Sequence, residues 1–317
     1  METPLPNLTL SVAIERWPVA GAFTIARGAK THVDVVVATV RDGTQEGRGE
    51  ATAIYYHGES AESVRDQLLA LPEAGPSLLP RGAARNALDC ALWDLRAKRV
   101  GQPLWQVAGL SEPRPLTTAF TISVAEPERM EAEARAAAHL PLLKLKLAGE
   151  GDLDRVAAVR RGAPEARLIV DANESWTGRD VVEEAAMLVP FGVELIEQPV
   201  RAGEDHLLDG VRSPIPLCAD ESCQDRSDLA RCRGRYAAIN VKLDKAGGLT
   251  EALALIAEAR ATGLEVMVGC MLSTSLGIAP AFLAAQGARW VDLDGPLLLA
   301  RDRPDGFVYT DGIMAPR

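Results

Sequence analysis

The chain has 317 residues, 47% hydrophobic and 25% charged, which is enough for one large domain with a smaller one beside it. Its formal net charge is -10 with no basic run, which argues against a nucleic-acid or anionic-membrane partner. No run of about 18 apolar residues is present, so no spanning helix is expected.

The five cysteines, Cys90, Cys218, Cys223, Cys232 and Cys270, are odd in number and lack CxxC spacing. That points to free thiols in a reducing compartment. The first residues, METPLPNLTL, lack the charged flank and apolar stretch of a signal peptide, and the cytoplasm is the expected location.

The first third reads as α+β. Residues 8–15 and 33–41 are rich in β-branched side chains and end in turn signals, so they are expected to be strands. Residues 60–71 and 82–99 have helical spacing. In the second, Ala84, Leu88, Ala91, Leu92 and Leu95 form one stripe, and Gly101-Gln102-Pro103 stops it.

From about residue 116 the pattern becomes a regular beat of short apolar runs and Ala- and Glu-rich helical stretches. The runs are LTTAFTIS, LLKLKLA, RLIVDAN, VELIEQP, PLCADES, AAINVKL, EVMVGC and VDLDG. Such alternation predicts a parallel sheet covered by helices, and eight strands in this span predict a closed β/α barrel. The alternative is an open doubly wound sheet, but no G-x-G-x-x-G or Walker motif accompanies it. The expected division is an α+β unit over 1–115 and a barrel over 116–300. The polar residues sit toward the C-terminal ends of the runs, where barrel active sites lie.

In LLKLKL, strand alternation turns Lys144 and Lys146 to one face and the leucines to the other. An edge strand with a solvated lysine face is the plainer alternative. Three acids follow on successive runs: Asp171 in IVDAN, Glu197 in LIEQP and Asp220 in CADES, spaced 26 and 23 residues apart. Each step is about one strand plus one helix, so the three carboxylates would share a rim. Singly, each could be a helix cap or an ion-pair partner. Together, three oxygen donors without histidine or cysteine suit a hard cation such as Mg2+.

Lys245 in KLDKAGG lies on the next run, but alternation sets it opposite Lys242, so periodicity leaves its direction open. Two bases facing one another across a bound carbon are what a racemase or epimerase needs. A dication would neutralise the enediolate formed when a carbon next to a carboxylate is deprotonated.

These residues resemble the enolase superfamily and, within it, the muconate-lactonising-enzyme group. The superfamily's pairing of a lysine or histidine base with magnesium is a general property of that class. The resemblance implies a modified (β/α)7β barrel, an N-terminal α+β capping domain, and a C-terminal tail, 301–317, that packs back on the capping domain. It implies Lys146 and Lys245 as acid/base residues, Lys144 as an enolate stabiliser, and Asp171, Glu197 and Asp220 as magnesium ligands.

Asp292-Leu293-Asp294 matches the marker of the dipeptide epimerases, in which paired carboxylates hold the α-ammonium. On turn preference alone, Asp294-Gly295 could be a simple turn. The implied activity is 1,1-proton transfer at the C-terminal α-carbon of a small dipeptide, L-Ala-D/L-Glu above all, in murein-peptide recycling. In FTIARGAKTH, Arg27 would bind a far carboxylate, although a surface arginine with no role fits as well. In GCMLS, Cys270 and Met271 would line the pocket. A cycloisomerase or o-succinylbenzoate synthase is the alternative within the group, and a non-catalytic binding barrel the alternative outside it. The sequence leaves self-association open.

Overall fold

The computed structural model of the protein describes residues 8–25, 28–71 and 79–317, with the backbone alone at 22–25 and 28–29. Arg27 lies outside the described residues.

The N-terminal part is an antiparallel sheet of β1 (Thr9–Ile25), β2 (Gly28–Arg41) and β3 (Glu46–Thr52), in that order. The first two strands run well beyond the expected 8–15 and 33–41. β1 runs through Pro18 because it is an edge strand, where a missing N–H is tolerated, and the register shifts between Pro18 and Phe23.

Helix α1 (Ala61–Leu69) starts at Ser60, whose side chain accepts from Ser63 N while the Ser63 side chain accepts from Ser60 N. Helix α2 (Ala83–Val100) lays its predicted stripe on the sheet, with Ala84, Leu88, Ala91 and Leu95 buried against Val36, Ala38 and Val40. The third strand, β3, lies outside the expected elements and carries two glycines, Gly47 and Gly49. They are where α2 presses on the sheet: a Cβ at Gly47 would meet Ala91 O at 2.1 Å, and one at Gly49 would meet Ala87 O at 2.1 Å.

The first apolar run after residue 115 splits. β4 (Leu116–Thr117) leaves the barrel, and β5 (Phe120–Ile122) enters it. The barrel continues through β6 (Leu142–Lys146), β7 (Arg167–Asp171), β8 (Val193–Glu197), β9 (Leu217–Ala219), β10 (Ala238–Val241), β11 (Glu265–Gly269) and β12 (Trp290–Asp292).

All neighbours are parallel and in sequential order. Closure comes just before β5, where Ala119 N donates to Val291 O at 2.8 Å and Leu293 N to Thr118 Oγ1 at 2.8 Å. First strand meeting last excludes the doubly wound alternative, whose strand order reverses. The crossovers are uneven: β8 is followed by a 3-10 turn, Asp205–Leu208, where a long helix would be usual. β12 is followed by the 3-10 turn Gly295–Leu298 and the tail, which gives the (β/α)7β plan.

The inward side chains form two levels. Ala119, Leu142, Ile169, Leu195, Cys218, Ala238, Met267 and Trp290 make an apolar layer. Two residues further along, at the C-terminal strand ends, stand Lys144, Asp171, Glu197, Asp220, Asn240 and Asp292, all buried. Outward residues such as Leu143, Leu145, Val170 and Val241 join the core under the helices.

The sheet unit caps the charged end. Asp244, just after β10, accepts from Thr52 N at 2.9 Å and Asn86 Nδ2 at 2.9 Å. Asp89 of α2 accepts from Thr250 Oγ1 at 2.6 Å. The tail divides its contacts. Ala300 N donates to Pro18 O at 2.8 Å, and Arg303 Nη2 reaches Glu50 at 2.7 Å and Glu15 at 2.8 Å, both in the sheet unit. Beyond it, β13 (Val308–Thr310) pairs with β14 (Ile313–Ala315), which pairs with β4 on the barrel side. No helix of the described residues is long and apolar enough to cross a membrane.

Candidate active site

Alternation along each strand decides which groups meet over the apolar layer. From Leu142 the inward positions are Lys144 and Lys146, and from Ala238 they are Asn240 and then Lys242. The resulting cavity, about 300 Å³, is lined by Lys144, Lys146, Asp220, Lys242, Asp292 and Asp294 from the barrel. Lys30, Thr52, Tyr55 and Tyr56 border it from the capping unit, and Cys270 and Met271 from the loop after β11.

Asp171, Glu197 and Asp220 each place an oxygen within 4.8 Å of the others, and all three are buried. Each is neutralised by a lysine. Lys146 Nζ donates to Asp171 Oδ2 at 2.6 Å, Lys144 Nζ lies 2.6 Å from Glu197 Oε2, and Lys242 Nζ donates to Asp220 Oδ2 at 2.6 Å. Asn240 Nδ2 donates to Glu197 Oε1 at 2.7 Å, and Asn173 N to Asp171 Oδ1 at 2.9 Å. Gln198, held at φ 36, accepts from Asp220 N through Oε1 at 2.8 Å and so fixes the turn out of β9.

Burial would penalise every charge here, and the neighbours decide the outcome. For Asp220 the ammonium groups of Lys242 and Lys245 overcome burial and hold its carboxyl well below the usual range. For Glu197 burial and the adjacent Asp171 charge win over Lys144 and push it up to about 7. Lys144 is the converse: burial is outweighed by Asp292, Glu197 and Asp171, which hold its ammonium well above the ordinary lysine range.

The lysine after β10 that borders the cavity is Lys242. Lys245 is enclosed: its Nζ donates to Asp220 Oδ1 at 2.6 Å, Asp220 O at 2.6 Å, Cys223 O at 2.8 Å and Asn240 O at 2.9 Å. With three carbonyls and a carboxylate around it, this ammonium ties the ends of β9 and β10 together. The sequence held the signal, because alternation from Asn240 leads to Lys242.

Asp292 and Asp294 lie side by side on the cavity wall. Asp292 Oδ2 accepts from Lys144 at 2.7 Å, while its buried Oδ1 has no hydrogen-bond partner among the described residues. Asp294 Oδ2 accepts from Thr121 N at 2.7 Å, and burial together with Asp292 pushes its pKa up to about 7. A buried pair of acids with one oxygen unsatisfied suits a cationic ligand group.

The donor set of the triad fits a small hard dication: three carboxylate oxygens, no sulfur or imidazole, and room on the cavity side for further oxygen ligands.

Comparison with known proteins agrees with this arrangement. Residues 7–109 match the mandelate racemase / muconate lactonizing enzyme N-terminal domain, and residues 128–317 match the enolase C-terminal domain-like family. The chain is similar to the L-Ala-D/L-Glu epimerase of Escherichia coli (strain K12), with 42% identity over 96% of this chain and 98% of the relative. It is 48% identical to the N-acetyl-D-glutamate racemase of a Pseudoalteromonas species over 75% of each chain. Among solved structures, an Agrobacterium tumefaciens enolase family member with homology to dipeptide epimerases, bound to sodium and L-Ala-L-Glu, superposes with a TM-score of 0.94. It is 48% identical, with 98% of both chains covered.

Proposed function

The chain belongs to the mandelate racemase / muconate lactonizing enzyme family of the enolase superfamily, and we propose that it is a dipeptide epimerase acting on L-Ala-D/L-Glu, with Lys146 and Lys242 as its two bases. The observation that carries this reading is the pairing, in one cavity, of two lysines from opposite barrel strands with the Asp292–Asp294 acid pair. β6 and β10 are the second and sixth of eight sequential strands, so their ends face one another across the barrel.

In this mechanism Asp292 and Asp294 take the dipeptide's α-ammonium, which orients the C-terminal residue between the lysines. One lysine, in its neutral form, removes the α-proton. The other, as an ammonium, delivers a proton to the opposite face, so the configuration inverts. Asp171, Glu197 and Asp220 would hold Mg2+, which would supply positive charge against the substrate α-carboxylate. Lys144, between Glu197 and Asp292, adds fixed positive charge beside that carboxylate. Lys245 has no proton-transfer role in this scheme: it is a positioning residue that holds Asp220. Cys270 and Met271 act as pocket wall.

The capping domain is drawn at 1–115; its Lys30, Thr52, Tyr55 and Tyr56 border the cavity, and murein-peptide recycling in the cytoplasm is the setting. The compartment rests on five unbridged cysteines.

A second reading, racemisation of an N-acylated glutamate, has the Pseudoalteromonas relative in its favour. It leaves Asp292 and Asp294 without an ammonium to hold, as would a cycloisomerase or succinylbenzoate substrate. A binding-only barrel would need neither lysine on the cavity. The test is incubation of L-Ala-L-Glu in D2O with magnesium. Deuterium is expected at the glutamyl α-carbon together with the D-epimer; exchange of N-acetylglutamate but not of the dipeptide would favour the second reading.

A further inference from the structure

The 3-10 turn Gly295–Leu298 stands directly after the acid pair. Leu297 N and Leu298 N both donate to Asp294 O, at 2.8 Å and 3.2 Å. The turn sets Leu298, half-buried, in the cavity wall, where it packs against the apolar cluster of Val19, Val33 and Leu299. On the other side of this wall lies a second cavity of about 540 Å³. Val19, Phe120, Ala136, Leu140 and Leu297 line it, and of its charged residues Arg129 and Glu133 pair with one another at 3.0 Å. Two residues, Thr121 and Leu298, line both cavities. Thr121 N donates to Asp294 Oδ2 at 2.7 Å, so the partition between the cavities passes beside the acid pair.

The first cavity, at about 300 Å³, is at the lower end of the range for small-ligand sites. With the dipeptide's α-ammonium at Asp292 and Asp294, the carbon that bears the ammonium also bears the N-terminal side chain. That side chain therefore starts next to the partition. A methyl group stops short of Leu298, whereas an isobutyl or benzyl group meets it.

Resting on the dipeptide reading, we propose that Leu298 restricts the N-terminal residue to a small side chain, and that the cavity behind it is a latent subsite for a large apolar one. Displacing a packed leucine is a cost that falls on the bulky substrate alone. Trimming Leu298 joins the two cavities and lets that side chain lie on Phe120, Leu140 and Leu297.

The experiment measures kcat and KM for L-Ala-L-Glu, L-Leu-L-Glu and L-Phe-L-Glu, with thermal unfolding run alongside. The chains are the wild type, Leu298→Val, Leu298→Ala and the double variant Leu298→Ala with Ala136→Phe. The wild type is expected to prefer L-Ala-L-Glu. Leu298→Ala should raise the Leu-over-Ala ratio of kcat/KM by about tenfold or more, chiefly through KM, and Leu298→Val should move it the same way by less. The double variant, which returns bulk to the second cavity alone, should bring the ratio back toward the wild-type value. An unchanged ratio in both Leu298 variants, or a wild type that takes all three dipeptides equally, overturns the role of Leu298 and leaves the epimerase reading standing. A gain that survives in the double variant overturns the second cavity as the subsite. Absence of α-proton exchange with all three dipeptides in the wild type overturns the dipeptide reading as well.

Discussion

Lys242 and Lys245 grip the same carboxylate from two sides: Lys242 Nζ meets Asp220 Oδ2 at 2.6 Å and Lys245 Nζ meets Oδ1 at 2.6 Å. Only the first of the two borders the cavity. One turn of chain thus supplies a group that can reach a substrate and a group that holds the rim in place. Their substitutions should therefore fail in different ways.

Lys245→Met leaves Asp220 Oδ1 and three carbonyls short of a donor in a buried site. Breaking a buried pair in this way costs about 3–5 kcal/mol. Urea or thermal unfolding should register that loss. Lys242→Met, whose lysine stands on the cavity, should lose less stability than Lys245→Met and more activity. Equal stability losses would count against the distinction.

Asp292→Asn and Asp294→Asn should each raise KM for L-Ala-L-Glu by about tenfold or more, because a neutral amide holds an ammonium less well. N-acetylglutamate, which has no ammonium, serves as the control in steady-state assays. A matching KM increase for both compounds would remove the acid pair from substrate recognition.

Most of the barrel could be read from the sequence because β6, β7, β8, β9 and β12 repeat one rule, apolar inward at the start and charged inward at or just past the end. Asp171, Glu197 and Asp220 come together for that reason. Two features escaped it. The resemblance, carried over on KAGG, implies Lys245 as the second base, although alternation from Asn240 points to Lys242. β3 was missed because Gly47 and Gly49 are set by the approach of α2, a contact between segments that no local pattern carries. Lys30 belongs with these, since its place over the cavity depends on how the capping sheet sits on the barrel.

The glycine contact gives its own prediction. Gly49→Ala puts a Cβ within 2.1 Å of Ala87 O, so α2 must shift off the sheet. A loss of about 1–3 kcal/mol is expected in urea unfolding. A variant as stable as the wild type would show that the helix can yield there without cost.

Chelation by EDTA should stop α-proton exchange, and added magnesium should restore it. The fold should persist without metal, because each ligand carboxylate already has a lysine partner. Magnesium binding to the folded chain should still raise the unfolding temperature, by an amount equivalent to about 2.7 kcal/mol at a hundredfold excess over Kd. Circular dichroism melts with and without the ion check both points.

The most direct test of the two-base assignment is α-proton washout in D2O, followed by NMR, from L-Ala-L-Glu and L-Ala-D-Glu taken separately. The wild type should exchange both. Lys146→Ala should retain exchange with one epimer and Lys242→Ala with the other, each losing its counterpart by a factor of about 10³. Epimerisation at the wild-type rate by Lys242→Ala would contradict the account, and so would a well-folded Lys245→Ala that loses exchange of a single epimer.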